Sequence, residues 1–320
     1  MLGVGSLGFH HARLLKELPE FRLAGVFDID GERAASVADE LDTEAYPSAH
    51  RLLNDVEAVS IAVPTSGHHE TASEALRHGC DLFIEKPITS TVEEADELID
   101  IAESGGRVIQ VGHIERFNGA VRACEEYLEH PLFIESHRLA PFVPRGTDVP
   151  VVLDLMIHDI DLILSLVRGA VQEVRAAGVS VLSGRVDIAN ARLEFEGGAV
   201  ANITASRVSI QRQRKIRFFQ PSGYISLDLG QGTGEFFRRK SLIGESGGPA
   251  QLSDFVDHIS LRGDGQEPLC LELQAFARAV RRIRPVAVSA REARTALKVA
   301  LDIVERIEKH REHVFNTNPT

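Results

Sequence analysis

The strongest indication of the fold is the stretch Met1-Leu2-Gly3-Val4-Gly5-Ser6-Leu7-Gly8, which is followed by an aspartate at position 28. The pattern Gly3-x-Gly5-x-x-Gly8 lets a strand turn tightly into a helix, lets the backbone approach a pyrophosphate, and lets the helix pack closely on the strand. A helical pattern follows at once, and a strand-like run then ends at Asp28. This order predicts a dinucleotide-binding βαβ unit rather than a chance glycine-rich turn with a surface aspartate.

The same residues predict which dinucleotide binds. We expect the loop to cradle the pyrophosphate through Gly3, Gly5, Ser6, Leu7 and Gly8. A carboxylate at position 28 can accept both ribose hydroxyls of an adenosine and would repel a 2′-phosphate, which favours NAD over NADP. Arg33 is near enough in sequence to accommodate such a phosphate, so NADP stays open as the less favoured cofactor.

The first strand of the βαβ unit is unusually short. Only Met1 and Leu2 precede Gly3, whereas the first strand of such a domain is central and about five or six residues long. We therefore expect that several residues are missing before Met1, or that the assigned start of the chain lies too late.

The order of predicted helices and strands changes near residue 118. Before it, predicted strands at 23–28, 56–63, 81–85 and 107–112 alternate with predicted helices at 10–18, 32–41, 69–78 and 92–105, which implies a parallel sheet. After it come a helix at 121–129, a strand at 133–139 and a long helix at 151–167. Consecutive strands at 171–182, 187–194, 199–206, 215–220 and 223–229 then indicate an antiparallel sheet, and the chain ends in helical patterns.

We therefore predict an α/β protein of two domains. Residues 1–117 form a Rossmann domain with a doubly wound parallel sheet, and residues 118–320 form an α+β domain with a mainly antiparallel open sheet. The second domain would bind the substrate. One face of its sheet has no predicted helix to cover it, so we expect a homo-oligomer formed through that face.

Composition narrows the range of partners and compartments. The 320 residues include 35 Lys+Arg and 47 Asp+Glu, and the formal charge of −12 argues against broad binding to nucleic acid or to anionic membrane. The longest apolar stretch, 151–167, carries too many charged residues for a membrane span, and no signal peptide is recognisable. Three well-separated cysteines fit a reducing compartment, so we expect a cytoplasmic protein.

Two motifs follow neighbouring strands of the predicted parallel sheet. Val63-Pro64-Thr65-x-x-His68 comes after one strand and Glu85-Lys86-Pro87 after the next, which is the edge where ligands bind in such sheets. Pro64, Thr65, His68, Glu85 and Lys86 are therefore candidate cofactor-binding residues. A lysine close to a positively charged nicotinamide would be pushed toward its neutral form, which suits proton transfer. The structural alternatives to cofactor binding are that Pro64 only ends a strand, that Thr65 only caps a helix, and that Lys86 forms a surface ion pair.

A third motif lies on the long predicted helix. Asp154, His158 and Asp161 fall on one helical face, and a carboxylate one turn from an imidazole can orient it as an acid/base unit. A polar surface patch or a metal site would use the same residue types. No further His or Cys ligand spacing supports a metal, so we predict none.

In this order the motifs resemble those of the Gfo/Idh/MocA oxidoreductase family, over essentially the whole chain. The resemblance implies a Rossmann domain, a second domain with an open sheet that often forms dimers or tetramers, and hydride transfer between a sugar or polyol carbon and nicotinamide. It also implies that Lys86, Asp154 and His158 are the catalytic residues. Whether Lys86 or His158 is the base stays open.

A finer resemblance is to the branch of that family that acts on nucleotide sugars such as UDP-N-acetylglucosamine. It is carried by the segment 111–118, the segment 144–148 and the helix that bears Asp154. The resemblance implies a substrate site that adds Arg116, Asn118, Arg145 and Arg207 to Asp154 and His158, because arginine forks suit a pyrophosphate. The alternatives are arginines paired with acidic residues, a dehydrogenase for free sugars or inositol, and a regulator that binds dinucleotide and sugar without catalysis.

Overall fold

A computed structural model describes residues 1–143, 149–240 and 251–317 of the chain. The chain divides into two compact units, one of Met1–Ile114 with Glu267–Leu297 and the other of Glu115–Gln266 with Lys298–Thr320. The first junction lies within a few residues of the predicted boundary. The sequence predicts two consecutive domains. In the structure, residues 267–297 belong to the first unit although they follow most of the second unit in the chain.

The first unit is built on parallel strands, as predicted. Its strands are β1 (Gly25–Val26), β2 (Glu44–Ala45), β3 (Ala58–Ile61), β4 (Asp81–Glu85) and β5 (Ile109–Gly112). Its first five helices are α1 (Ser6–Glu17), α2 (Gly31–Glu40), α3 (Ala49–Asn54), α4 (His68–Arg77) and α5 (Val92–Gly105). Leu2 pairs in parallel with both Phe27 and Ile61, so the segment before the glycine turn lies between the β1–β2 pair and the β3–β4–β5 sheet.

Local chemistry explains why β4 and α5 match the predicted bounds. Every residue of β4 is buried, which is typical of a central strand of a parallel sheet. The α5 helix begins with a capping box between Thr91 and Glu94, and it ends at Gly106 with a φ of +64°. By contrast, β1 is shorter than predicted. A Cβ on Gly25 would lie 2.5 Å from the carbonyl oxygen of Glu44, so only glycine allows the close approach of β1 and β2.

The second unit contains an eight-stranded sheet. Its strands are β6 (Phe133–Leu139), β7 (Val171–Val179), β8 (Ile188–Phe195), β9 (Val200–Ser206), β10 (Gln213–Gln220), β11 (Gly223–Asp228), β12 (Thr233–Arg239) and β13 (Val256–Arg262). The order is β13-β12-β11-β10-β6-β9-β8-β7, and all neighbours are antiparallel except β6 and β9. The mainly antiparallel sheet is therefore confirmed, and β12 and β13 extend it beyond the predicted strands.

The helices of the second unit lie before and between its strands in the chain. They are α6 (Gly119–Cys124), α7 (Ile157–Leu166) and the short α8 (Leu252–Phe255). The predicted helix at 151–167 begins instead with a π-helical turn, Val152–Met156, and continues as α7. Within the described part of the chain, no helix has both the length and the apolar character needed to cross a membrane.

A helix near the end of the chain explains why residues 267–297 belong to the first unit. The helix α9 (Pro268–Val280) buries Leu269, Leu273 and Phe276 in the core of the first unit, where Phe276 meets Phe83 edge-on with ring centroids 5.9 Å apart. The final helix is α10 (Ala290–Thr317). An amphipathic stripe in the sequence shows that a helix is covered on one face but not which core covers it.

Candidate active site

The turn after Leu2 can form only because glycine has no side chain. Gly3 has a φ of +80°, and a Cβ there would lie 2.9 Å from the carbonyl group of Ala62. A Cβ on Gly8 would lie 1.9 Å from the carbonyl oxygen of Gly3, which no side chain could accommodate. Around Gly5, in contrast, a Cβ would meet nothing within 4 Å. Gly3 and Gly8 therefore allow the turn to close, and Gly5 leaves its outer side open.

The open side of this turn suits a pyrophosphate. Gly5 is the N-cap of α1 and provides no side-chain hydrogen bond to the first amides of the helix. Ser6 and Leu7, the first two residues of the helix, are exposed. Unsatisfied backbone N–H groups and the positive end of the helix dipole attract an anion at such a position. These residues fit the dinucleotide that the sequence predicts.

Asp28 is held beside the same turn. Its Oδ2 accepts a hydrogen bond from the backbone N–H of Val4 at 2.7 Å, and its Oδ1 accepts one from the N–H of Asp30 at 3.0 Å. The side chain is half-buried, so its carboxylate oxygens have lone pairs beyond those two bonds for a ribose. Arg33 donates to the carbonyl of Val4 at 3.4 Å, which places a cation at the same turn.

The motif after β3 lies where the sequence predicts it, but without the helix cap that was its structural alternative. Pro64 and Thr65 lie at the carboxyl end of β3, as expected, but α4 begins at His68 without a side-chain cap from Thr65. His68 is buried, with Nδ1 at 2.9 Å from the carbonyl oxygen of Pro87 and Nε2 at 2.9 Å from that of Val63. Its ring joins the ends of β3 and β4 through the backbone.

Glu85 is paired with a residue that sequence reasoning did not select. Its Oε1 lies 3.0 Å from Nε2 of His11, which is fully buried on α1, and Nδ1 of His11 lies 2.9 Å from Oγ of Ser60. Burial alone would raise the pKa of the Glu85 carboxyl. The hydrogen bond and the charge of His11, together with the charge of Lys86, outweigh burial and lower that pKa below its ordinary value.

The space for this carboxylate comes from a glycine on the neighbouring strand. A Cβ on Gly112 of β5 would lie 2.8 Å from Oε1 of Glu85. The next residue, Lys86, is half-buried at the carboxyl end of β4, and its backbone N–H donates to Oε2 of Glu85 at 3.2 Å. The peptide bond between Lys86 and Pro87 is cis. The signal that could have revealed His11 is its position on the face of α1 that covers the sheet.

In the second unit, Asp154 and His158 are close in sequence but belong to different elements. Asp154 lies in the π-helical turn and His158 in the first turn of α7, and both side chains are half-buried. Wide turns of this kind occur often at functional sites because they shift the direction of the side chains within a helix. Asp161 does not share this exposure, since it is 1% exposed.

Arg116 and Asn118, two predicted substrate residues, both have hydrogen-bond partners within the second unit. Nε of Arg116 donates to Oδ2 of Asp161 at 2.8 Å and its Nη2 donates to Oδ1 at 2.6 Å, so one edge of the guanidinium is committed to a buried carboxylate. Asn118 caps α6 by accepting from the N–H of Ala120, and its amide donates to Glu115 and to the carbonyl of Leu229. These contacts hold the unit together, and the substrate contacts of both residues stay predictions.

A second buried network runs alongside. Arg138 on β6 is 4% exposed and donates to both oxygens of Asp159 on α7, at 2.8 and 3.0 Å, and to Oε1 of Glu115 at 2.9 Å. Burial alone would lower the pKa of Arg138, but the two carboxylates raise it above its usual range. This network ties β6 to α7, and therefore fixes the helix that bears His158.

Two further arginines, Arg207 and Arg145, belong to the predicted substrate site. Arg207 is 5% exposed just after β9, and its Nη2 donates to the carbonyl oxygen of Val149. Arg145 lies outside the described residues. The first unit thus brings together the glycine turn, Asp28, His68, Glu85 and Lys86 at the carboxyl ends of its strands. In the second unit, Asp154 and His158 lie in consecutive helical elements.

A turn shaped for a dinucleotide in one unit, and a carboxylate and an imidazole in the other, define a two-domain nicotinamide-dependent oxidoreductase. Two family profiles match the chain: "Oxidoreductase family, NAD-binding Rossmann fold" over residues 1–113 and "GFO/IDH/MocA C-terminal domain" over residues 134–226. The chain belongs to the Gfo/Idh/MocA family of oxidoreductases, as the sequence motifs predicted.

Similar proteins include several sugar and inositol dehydrogenases. A UDP-N-acetylglucosamine 3-dehydrogenase of Acidithiobacillus ferrooxidans is 38% identical over 96% of both chains. Its solved structure, aligned at 36% identity over 96% of each chain, gives a TM-score of 0.88. The NAD⁺-dependent scyllo-inositol 2-dehydrogenase of Bacillus subtilis is 27% identical over 94% of this chain and 91% of its own.

The buried network predicts a large effect for Arg138→Ala. The change leaves the Asp159 and Glu115 carboxylates buried without their cation, so we expect the free energy of unfolding to fall by about 3–5 kcal/mol. Urea unfolding followed by circular dichroism measures it. The matched control is Arg175→Ala, because the Arg175–Glu173 pair is exposed and should contribute less than about 1 kcal/mol. Equal losses in both variants would show that burial of the Arg138 network is not decisive.

Proposed function

We propose that this protein is an NAD-dependent dehydrogenase that transfers a hydride between nicotinamide and a secondary alcohol of a nucleotide sugar, UDP-N-acetylglucosamine, at C3. The observation that carries the proposal is the 38% identity to a UDP-N-acetylglucosamine 3-dehydrogenase along nearly the full length of both chains. The inositol dehydrogenases are more distant, at 27% identity for the scyllo-inositol enzyme. Oxidation of a free polyol is therefore the alternative outcome of the experiment below.

The reaction requires a base for the hydroxyl proton and donors that stabilise the developing negative charge on oxygen. When bound, nicotinamide supplies the hydride acceptor. We assign the base and donor roles jointly to Lys86 and His158, following the family resemblance. Asp154, one turn before His158, orients the imidazole or holds a neighbouring hydroxyl of the sugar.

The neighbours of Lys86 support its role. Glu85 is adjacent in sequence, and its lowered pKa keeps a negative charge beside the lysine at neutral pH. That charge opposes the effect of a cationic nicotinamide, which pushes the lysine toward its neutral form. Lys86 would thus remain able both to donate and to accept a proton as the charge of the ring changes during the reaction.

NAD is the proposed cofactor rather than NADP. Asp28 is held by two backbone N–H groups beside the glycine turn, where its charge would repel a 2′-phosphate. Arg33 lies at the same turn and is the residue through which NADP would retain some affinity.

The substrate pyrophosphate would be bound by Arg207 and Arg145 rather than by Arg116. Arg116 uses one edge of its guanidinium on Asp161, and we therefore propose that it acts as a positioning residue for α7. Arg207 fixes the carbonyl of Val149, which follows the segment that contains Arg145.

All three cysteines are free thiols, and we retain the proposal of a reducing, cytoplasmic location on that ground.

We also propose that the open sheet forms a homo-oligomer. One register row across five strands carries a ladder of stacked or tilted rings, with centroid distances between 4.7 and 5.8 Å. Its members are Phe133, Phe219, Tyr224, Phe237 and His258. The four aromatic residues are only half-buried within the chain, and a second copy of this chain would cover them.

Lys86→Ala tests the enzyme and its substrate together. Purified protein with NAD and UDP-N-acetylglucosamine should form reduced nicotinamide, measured by absorbance, whereas NAD with myo-inositol or glucose should not. The variant should lose turnover by at least about 100-fold and keep its affinity for NAD within about tenfold, because Lys86 acts in the transition state. Formation of reduced nicotinamide with free polyols alone would show that the substrate is a polyol and not the nucleotide sugar. A large loss of NAD affinity in the variant would show that Lys86 acts first as a cofactor ligand.

Asp28→Ala tests the choice of cofactor. Without its carboxylate the variant should bind NAD about tenfold more weakly and discriminate less against NADP, because a ribose acceptor and a repulsive charge are lost together. Fluorescence titrations with the two reduced cofactors give both dissociation constants. An equal loss of affinity for NADH and NADPH would contradict the contact with the ribose.

Tyr224→Glu tests the oligomer. A charge in the middle of the aromatic ladder should dissociate the assembly, because burying an unpaired carboxylate in the interface costs several kcal/mol. Light scattering after size-exclusion chromatography reports the mass. The control is Ile210→Glu, since Ile210 is 97% exposed and lies outside the ladder. A wild-type protein that elutes as a monomer would refute the proposal.

A further inference from the structure

A group of potential metal ligands lies on the first unit, away from the residues discussed so far. Glu74 and His78 are one helical turn apart at the end of α4, so they project from one face. His50 lies on α3 and faces them. His50 is exposed, and Glu74 and His78 are half-exposed, so an ion from solvent can reach all three.

The potential ligand atoms converge on a small volume. Nε2 of His78 lies 3.2 Å from Nδ1 of His50, and Nδ1 of His50 lies 3.9 Å from Oε1 of Glu74. All three ligand atoms lie within 4.8 Å of one another. The two imidazole rings meet edge to face, at an interplanar angle of 79°. Two rings in this relation can each point a nitrogen lone pair at the same ion.

The tautomer of His78 is already set for metal binding. Its Nδ1 lies 2.9 Å from the backbone carbonyl oxygen of Glu74, which can only accept a hydrogen bond. The Nδ1 of a neutral ring must therefore carry the proton, and Nε2 presents its lone pair toward His50. A ligating histidine commonly donates its other N–H to a backbone carbonyl in this way, which fixes both the tautomer and the orientation of the ring.

The distances suit a tetrahedral ion. With Zn–N bonds of about 2.0–2.1 Å, two nitrogen ligands at adjacent corners of a tetrahedron lie about 3.3–3.4 Å apart. The separation of 3.2 Å between the two histidine nitrogens is close to that edge. The Glu74 oxygen needs to approach the His50 nitrogen by about 0.5 Å, and it starts within 4.8 Å of the His78 nitrogen, so rotation of the half-exposed glutamate side chain must close both edges.

We propose that His50, Glu74 and His78 form a binding site for a divalent transition-metal ion of the Zn²⁺ type. Two imidazoles and a carboxylate suit such borderline ions better than Mg²⁺ or Ca²⁺, which prefer oxygen ligands. The fourth position is left for water. The ion replaces the proton that His50 otherwise shares with His78, and it joins α3 to α4.

The site is separate from the proposed active site. Cofactor-binding groups lie at the carboxyl end of β3, where α4 begins with His68. His78 follows ten residues later, about 15 Å along the helix axis. Metal binding there should stabilise the first unit without supplying a group to the redox reaction. Sequence spacing concealed the site, because one of its ligands comes from another helix.

Titration of the full-length protein with Zn²⁺ tests the proposal. The protein is freed of any affinity tag and of bound metal with a chelator, and binding is followed by isothermal titration calorimetry. We expect one Zn²⁺ per chain at His50, Glu74 and His78, with a dissociation constant in the micromolar range or below. His50→Gln, Glu74→Gln and His78→Gln should each weaken this binding at least about tenfold, because each removes one ligand.

A second readout and a matched control complete the test. Zn²⁺ should raise the midpoint of thermal unfolding by a few degrees in the wild type and not in His78→Gln, because an ion that binds only the folded state stabilises it. The control is His69→Gln, since His69 lies on the same helix but meets a single carboxylate, that of Glu97. Absence of binding at millimolar Zn²⁺, or binding that survives both His50→Gln and His78→Gln, would overturn the site.

Discussion

The pair between the Glu85 carboxylate and the His11 imidazole is the contact on which the first unit depends. It joins the helix that follows the glycine turn to the strand that ends at Lys86, and Ser60 on β3 completes it through the other ring nitrogen. Gly112 on β5 leaves the room that the carboxylate occupies. Three neighbouring strands and α1 therefore meet at one polar group. A shift of α1 would move both the pyrophosphate turn and the backbone of Lys86.

Such a pair is costly to bury unless its hydrogen bonds are complete. His11 is fully buried and Glu85 nearly so; Oε1 of Glu85 lies 3.0 Å from Nε2 of His11, while Ser60 meets the other ring nitrogen and the N–H of Lys86 donates to the other carboxylate oxygen. Apolar residues of similar size could stabilise the core as well as this pair does. Its presence is better explained by specificity, since a polar contact fixes one arrangement of α1 on the sheet where apolar packing would allow several. It also leaves a negative charge next to Lys86.

Sequence reasoning predicted the elements whose signals are local. The capping residues Thr91 and Glu94 mark the start of α5, and the apolar run at 81–85 marks β4. Contacts between distant residues were not predictable in this way. The helical period placed Asp161 on the same face as His158, but only the folded unit shows that Asp161 is paired with Arg116. The pairing of His11 was hidden in the same way, because its position on the buried face of α1 does not indicate which residue it meets.

The proposed catalytic residues of the two units share one feature of sequence order. Lys86 follows the buried carboxylate Glu85, and His158 precedes the buried carboxylate Asp159, which Arg138 holds with two hydrogen bonds. In a strand, adjacent side chains point to opposite faces, and on a helix they diverge by about 100°. A buried, hydrogen-bonded neighbour therefore fixes the backbone while the reactive side chain points elsewhere. The hydrogen bonds of Glu85 and Asp159 therefore help to hold in place the backbone that carries the lysine and the histidine.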